Sequence, residues 1–290
     1  MKRWKLPMHW WLYLTRQYQD GLADRDAGFD YHVLSQFQFD GAQTAPHNWY
    51  KRERKNWSGI TLDLITKRNV AEIYLSGLML IQLPESIGDL KLLTWLDLSN
   101  NELVQIPESM GDLKSLIVLG LCYNELVSLP ESISNLVSLT DLYLQYNELV
   151  TLPDSIGKLK SLTRLNLHHN RLATIPDSIG DLDSLTYLTL MNNQLTSLPN
   201  SICNLLLLTD LGLGYNELVT LPDSIGKLKS LQYIAVNNNK LTTLPESIGD
   251  LTSLICFYIC ENCLVEIPKS INNLSLIEYI DVSDNPFLYN

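Results

Sequence analysis

Residues 139–161 read LTDLYLQYNELVTLPDSIGKLKS, and close copies of this sentence flank it on both sides. Copies start at Val70, Leu93, Leu116, Leu139, Leu162, Leu185, Leu208, Leu231 and Leu254, and a truncated copy starts at Ile277. Nine full copies of 23 residues fill positions 70–276 without an insertion. A fixed period of this length marks a solenoid, in which one coil repeats along an axis. The shared pattern is L-x-x-L-x-L-x-x-N-x-L-x-x-L-P-x-S-I-G-x-L-x-S.

Each place in the pattern has a physical task. Leu142 and Leu144 alternate with Asp141, Tyr143 and Gln145, the period of two that makes a strand with one face inward. An Asn follows, at Asn101, Asn124, Asn147, Asn170, Asn193, Asn216, Asn239 and Asn262, and again at Asn285; only the first copy departs, with Leu78. An amide there is expected to satisfy turn backbone groups of its own coil and of the next. Pro153 sets an extended backbone and stops the return path from becoming a long helix. Ile156 and Leu159 turn back into the core, and Gly157 is expected to permit a tight bend. A lone coil has nothing to bury these side chains against, so coils stack and strands pair in parallel. The bulkier return segments put the strands on the inside of the curve. The expected fold class is therefore an α/β solenoid with a parallel sheet on its concave face.

The pattern resembles leucine-rich repeat proteins over about three quarters of the chain. The L-P-x-S-I-G-x-L-x-S return is similar to the bacterial repeats and the plant intracellular Ras-group repeats. It lacks the G-x-I-P return of plant receptor ectodomains. The resemblance implies a leucine-rich repeat horseshoe with a small helical or irregular N-terminal cap, and it is almost silent on the partner. Two regions follow: a capping region at 1–69 and the solenoid at 70–290. Within the first, Asp30, Leu34, Phe37, Trp49, Trp57, Gly59, Ile60 and Asp63 resemble the cap of plant-receptor-type repeats, without its paired cysteines. Five of the six Trp (Trp4, Trp10, Trp11, Trp49 and Trp57) fall there, and large rings suit the open apolar end of a coil stack.

Charge is unevenly placed. Residues 1–69 carry 11 Lys/Arg against 7 Asp/Glu, a net of +4; residues 70–290 carry 10 against 25, a net of −15. An acidic solenoid disfavours nucleic acid and anionic membrane and favours a partner with basic residues. Leu6 to Leu14 is apolar but contains Pro7 and His9, is too short to span a bilayer, and has no small-residue cleavage site after it. It reads as an aromatic-rich helix docked on the first coil. Lys51 to Lys55 reads as a solvated basic loop, and the sequons at Asn56 and Asn273 as chance matches.

The five cysteines are Cys122, Cys203, Cys256, Cys260 and Cys263. None lies at the ends, where extracellular repeats carry their staples. Cys256 and Cys260 share a strand face but are roughly 13 Å apart, beyond the disulfide reach of about 7 Å. The C-x3-C-x2-C run lacks a fourth metal ligand nearby. Reduced thiols, a cytoplasmic compartment, and no metal or cofactor are expected; export without a clear signal peptide is the alternative.

The third, fifth, seventh and eighth places of each copy are expected to line the concave face. Aromatics and carboxylates dominate there and Lys is missing. The candidate partner-binding residues are Trp95, Tyr123, Asp141, Tyr143, Tyr146, Arg164, His168, His169, Tyr187, Asp210, Tyr215 and Tyr233. Exposed Tyr and Trp bury much area at low entropic cost on binding, though cross-strand stacking also uses such rings. Glu102, Glu125, Glu148 and Glu217 extend the acidic character outward. Arg164 is the sole base on the face, and His168–His169 is a candidate pH-sensitive contact point. No Ser, Cys or carboxylate sits at a spacing that completes a triad with either His, so no catalysis is expected. The expected function is a non-enzymatic scaffold for a protein or peptide. The alternatives are a secreted bacterial effector or surface protein acting on a host target, and an assembly protein that pairs through its last strand, Ile277 to Val282, as a homodimer.

Overall fold

The structure, a computed structural model, describes residues 71–288 of the 290. The expected cap at 1–69, its Trp cluster and the basic loop at Lys51 to Lys55 lie outside the described residues.

Ten short strands stand in one parallel sheet, in chain order. They are β1 (Glu72–Tyr74), β2 (Trp95–Asp97), β3 (Val118–Gly120), β4 (Asp141–Tyr143), β5 (Arg164–Asn166), β6 (Tyr187–Thr189), β7 (Asp210–Gly212), β8 (Tyr233–Ala235), β9 (Cys256–Tyr258) and β10 (Tyr279–Asp281). We number the coils as their strands. The register is a shift of 23 at every step, so Asp141 faces Arg164, which faces Tyr187. This is the parallel ladder that the repeat requires.

Coil 4 shows how the core is filled. Leu139, Leu142, Leu144, Leu149, Leu152, Ile156 and Leu159 are all buried, and the same places are buried from coil to coil. Such continuous burial between neighbours supplies most of the folding drive. The return path starts at Pro153 in extended conformation (φ −66°, ψ 144°) and runs into a single 3-10 turn, Asp154–Lys158. No long helix forms among the described residues; the returns are 3-10 turns throughout.

Two expectations about the turns are corrected. The side chain of the recurring Asn serves its own coil and the preceding one, not the next. Asn147 Nδ2 donates to Leu144 O (3.0 Å) in its own coil and to Leu121 O (2.9 Å) in coil 3, while its Oδ1 accepts from Leu126 N (3.0 Å), also in coil 3. The reason is geometric: those two carbonyls occupy the same place in adjacent coils, and the buried amide sits where it meets both. Every later Asn to Asn285 repeats the pattern. Asn101 accepts from both Leu78 N and Leu80 N in coil 1, where no Asn is present.

Gly157 does not serve a bend either. Among the described residues the one glycine with positive φ is Gly77. Instead, a Cβ on Gly157 would lie 2.3 Å from the carbonyl oxygen of Ser178 in the next coil. Gly111 and Gly180 meet Ser132 and Ser201 in the same way. The glycines let adjacent return paths approach closely.

Candidate functional site

The third and fifth places flank an inward apolar residue on each strand, a buried Leu from β2 to β7, so their side chains share the strand face. Along the third place, β2 to β10 present Trp95, Val118, Asp141, Arg164, Tyr187, Asp210, Tyr233, Cys256 and Tyr279. Along the fifth, β3 to β8 present Gly120, Tyr143, Asn166, Thr189, Gly212 and Ala235. Sequence reading named Tyr143 but passed over the small ones, Gly120, Thr189, Gly212 and Ala235. A Gly on a strand face is itself a signal of close approach: a Cβ on Gly212 would lie 2.8 Å from Thr189 Oγ1 and 3.1 Å from Met191 Cγ.

In coils 4 and 5 the face is knitted together. Asp141 accepts from Thr140 Oγ1 (2.6 Å) and from the Tyr143 hydroxyl (3.3 Å), and pairs with Arg164 Nε at 3.7 Å. Burial pushes the Tyr143 phenol up, against the lowering effect of its hydrogen bond with Arg164. The sole basic residue of the face is thus engaged by the carboxylate one coil before it.

In coils 6 to 8 the face is open. Asp210 stands in the column of Asp141, and among the described residues its carboxylate accepts one hydrogen bond, from Thr209 Oγ1 (2.6 Å). The residue that would match Tyr143 is Gly212, and the one that would match Arg164 is Tyr233. Burial and the nearby Asp210 charge push the Tyr187 phenol up.

The eighth-place residues are not on the strands. Tyr123, Tyr146, His169, Asn192, Tyr215 and Asn238 all have φ between 52° and 57°. They occupy a left-handed turn just past each three-residue strand, an uncommon conformation for Tyr and His. Backbone pairing between coils continues through this turn, as from Tyr146 N to His168 O (3.0 Å). The side chains therefore form a column at the sheet's margin. In it Tyr123 and Tyr146 stack at 4.3 Å and 9°, and Tyr146 and His169 at 4.3 Å and 10°. His168 sets its edge against both Tyr146 (4.9 Å) and His169 (5.1 Å). Burial, and then the charge of His169, lowers His168 to about 4. Tyr74 and Trp95 form a separate tilted pair at 6.2 Å.

The outer acidic column is interrupted. Arg171 Nη2 lies 2.7 Å from Glu148 Oε1, and Lys240 Nζ lies 3.1 Å from Glu217 Oε2. Both bases sit one coil after their partners, a spacing of 23 that was readable in the sequence. All five cysteines are free. Among the described residues no group of three or more His, Cys, Asp or Glu is placed to hold a metal ion, and no helix is long and apolar enough to cross a membrane.

A family model described as a leucine-rich repeat matches residues 91–149 and 139–195, and one described as a leucine-rich repeat region matches 197–285. No curated protein matches the chain. Several solved structures do. A leucine-rich repeat protein of Leptospira interrogans is 35% identical, with 77% of this chain and 63% of that one covered and a TM-score of 0.62. The plant peptide hormone receptor RGFR1, solved in complex with RGF2, is 35% identical over 74% of this chain and 36% of the receptor, with a TM-score of 0.69. YopM, a leucine-rich effector protein of Yersinia pestis, is 28% identical over 81% of this chain and 63% of the effector, with a TM-score of 0.63. The chain spans less than two thirds of the length of each. From the 23-residue register, the Asn spine and these matches together, the chain belongs to the leucine-rich repeat family, whose fold commonly serves as a protein-binding scaffold.

Proposed function

We propose that this chain is a non-enzymatic scaffold that binds a protein or peptide along its concave face, with basic residues of the partner meeting the carboxylates there. One observation carries the reading. Tyr187 and Tyr233 keep 38% and 43% of their surface in solvent on the strand face and stack on no other ring among the described residues, although a large ring on a sheet normally packs against a neighbour. Rigid aromatic side chains of this kind make good anchors for a partner. The receptor RGFR1, a structural neighbour, was solved with the peptide RGF2 bound, which supports a peptide as ligand class. The free thiols support a reducing compartment.

The test is selection of peptides from a random display library on the immobilised full chain. Binders are expected to be lost on the Tyr187→Ala/Tyr233→Ala double variant and kept on Val137→Ala/Leu206→Ala, two exposed positions outside the strand face. Binders indifferent to the strand-face variant would refute the reading.

One observation favours a second reading, self-association through β10. Ile277, Ile280 and Val282 are half-buried, while their counterparts Leu254, Phe257 and Ile259 in coil 9 are fully buried. A strict monomer by light scattering at rising concentration removes it.

A further inference from the structure

The face holds two carboxylates in one column, and they are treated differently. Asp141 takes a guanidinium from the next coil, plus a phenol hydroxyl and a threonine hydroxyl. Asp210 keeps only the threonine. Two substitutions make the difference: Gly212 stands where Tyr143 stood, and Tyr233 where Arg164 stood. The site in coils 6 to 8 therefore matches the one in coils 4 and 5 with its cation removed.

The walls also fit a cation. Tyr187 and Tyr233 flank Asp210 in register, one coil to each side. Two strand spacings put the rings about 9.6 Å apart, so a flat cation midway lies about 4.8 Å from each, within the cation–π reach of about 6 Å. Neither ring stacks on another aromatic among the described residues. The fifth places beside them are small, with Thr189 buried and Gly212 and Ala235 half-buried, and Thr189 and Met191 pack closely over Gly212. No Lys or Arg of the third and fifth places lies nearer than Arg164, which is already paired with Asp141.

We propose that Tyr187, Asp210 and Tyr233 form a receptor for one arginine side chain of an extended partner peptide. The guanidinium enters between the two rings and pairs with the free oxygen of Asp210, as Arg164 pairs with Asp141 within the chain. A planar guanidinium is preferred over an ammonium because it can stack on the rings and donate to the carboxylate at once. The proposal rests on the concave-face reading and names the chemistry of its partner.

The experiment uses the peptides selected on the full chain, resynthesised with Arg, Lys or citrulline at each Arg position, and measured by calorimetry. Enriched peptides should share an Arg at one position. Citrulline there should weaken binding roughly tenfold or more, and Lys by less, since the charge is lost in one case and only the plane in the other. Asp210→Asn should weaken the Arg peptide by about the same factor as citrulline, with no further loss when the two are combined. Tyr187→Ala and Tyr233→Ala should each weaken it too, while Asp141→Asn should not. Circular dichroism of each variant confirms the fold. Peptides that need the strand face but carry no shared Arg, or that bind Asp210→Asn unchanged, overturn the arginine receptor and leave the concave-face reading standing. Peptides that ignore every strand-face variant overturn both.

Discussion

Coils 3 to 5 and coils 6 to 8 have one backbone, one core and one register, yet their aromatic residues have different fates. In the first group, rings fall in the same place of successive coils. Strands about 4.8 Å apart then hold them in contact, and Tyr123, Tyr146 and His169 close into a stack. In the second group, Tyr187 and Tyr233 fall in the same place of alternate coils, with Asp210 between. Twice the strand spacing is too far for them to touch. The comparison teaches that spacing in coils, not residue type, decides whether a ring meets another ring. A ring one coil from another stacks on it. Two coils away, it stands apart from its like.

The comparison can be broken or sharpened by mutation. The largest effect lies beneath it, in the Asn spine that both regions share. Asn147→Ala and Asn216→Ala each remove three buried hydrogen bonds and leave one backbone N–H, that of Leu126 or Leu195, without its partner, while the two carbonyls keep a bond from a neighbouring Asn; each should cost about 2–4 kcal/mol in urea unfolding. Clearly unequal losses would mean that the regions differ below the surface as well. Next come the rings. Tyr146→Ala removes the middle of the stack and should destabilise by about 1–3 kcal/mol, whereas Tyr233→Ala should stay within about 0.5 kcal/mol of the parent. Equal costs would erase the distinction.

The third effect is pH dependence confined to the stacked region. His168 is at about 4 in the folded chain against 6.5 ordinarily, so the unfolded chain binds more protons between those values. Stability is therefore intact above pH 6.5 and falls as pH drops toward 4. With the ring half-buried, the loss should be about 1–2 kcal/mol. Amide exchange should show it in coils 4 and 5 and not in coils 7 and 8, and His168→Gln should remove it. The smallest effect is that of the exposed ion pairs. Glu148→Gln and Glu217→Gln should each cost less than about 1 kcal/mol, and the cost should vanish in high salt.

Much of this was readable from residues. The inward Leu and Ile, the strand places, the Asn series and the parallel stacking all follow from a period that never slips. The finer geometry followed less well, for physical reasons. The glycine of the S-I-G return looks like a bend from one coil alone; its reason lies in the carbonyl of the next coil, 2.3 Å from where a Cβ would be at Gly157. The left-handed turn at the eighth place did have a signal. Gly77, Asn100, Asn192, Asn238 and Asp284 occupy it, and these types tolerate positive φ; the intervening Tyr and His masked the pattern. Stacks and ion pairs at an offset of 23, such as Arg171 with Glu148, were countable but demand reading across copies rather than along them. The open state of Asp210 was the hardest to see, because it depends on what Gly212 and Tyr233 fail to donate.

The direction of the asparagine bonds has a consequence for how the protein is made. In coils 1 to 9 the turn is sealed by an amide that belongs to the coil after it, as Asn285 seals coil 9 through Leu264 and Ile259. On the ribosome, the newest coil thus waits, unlatched, for its successor. Maturation trails elongation by one repeat, and the growing tip is always the least finished part of the molecule.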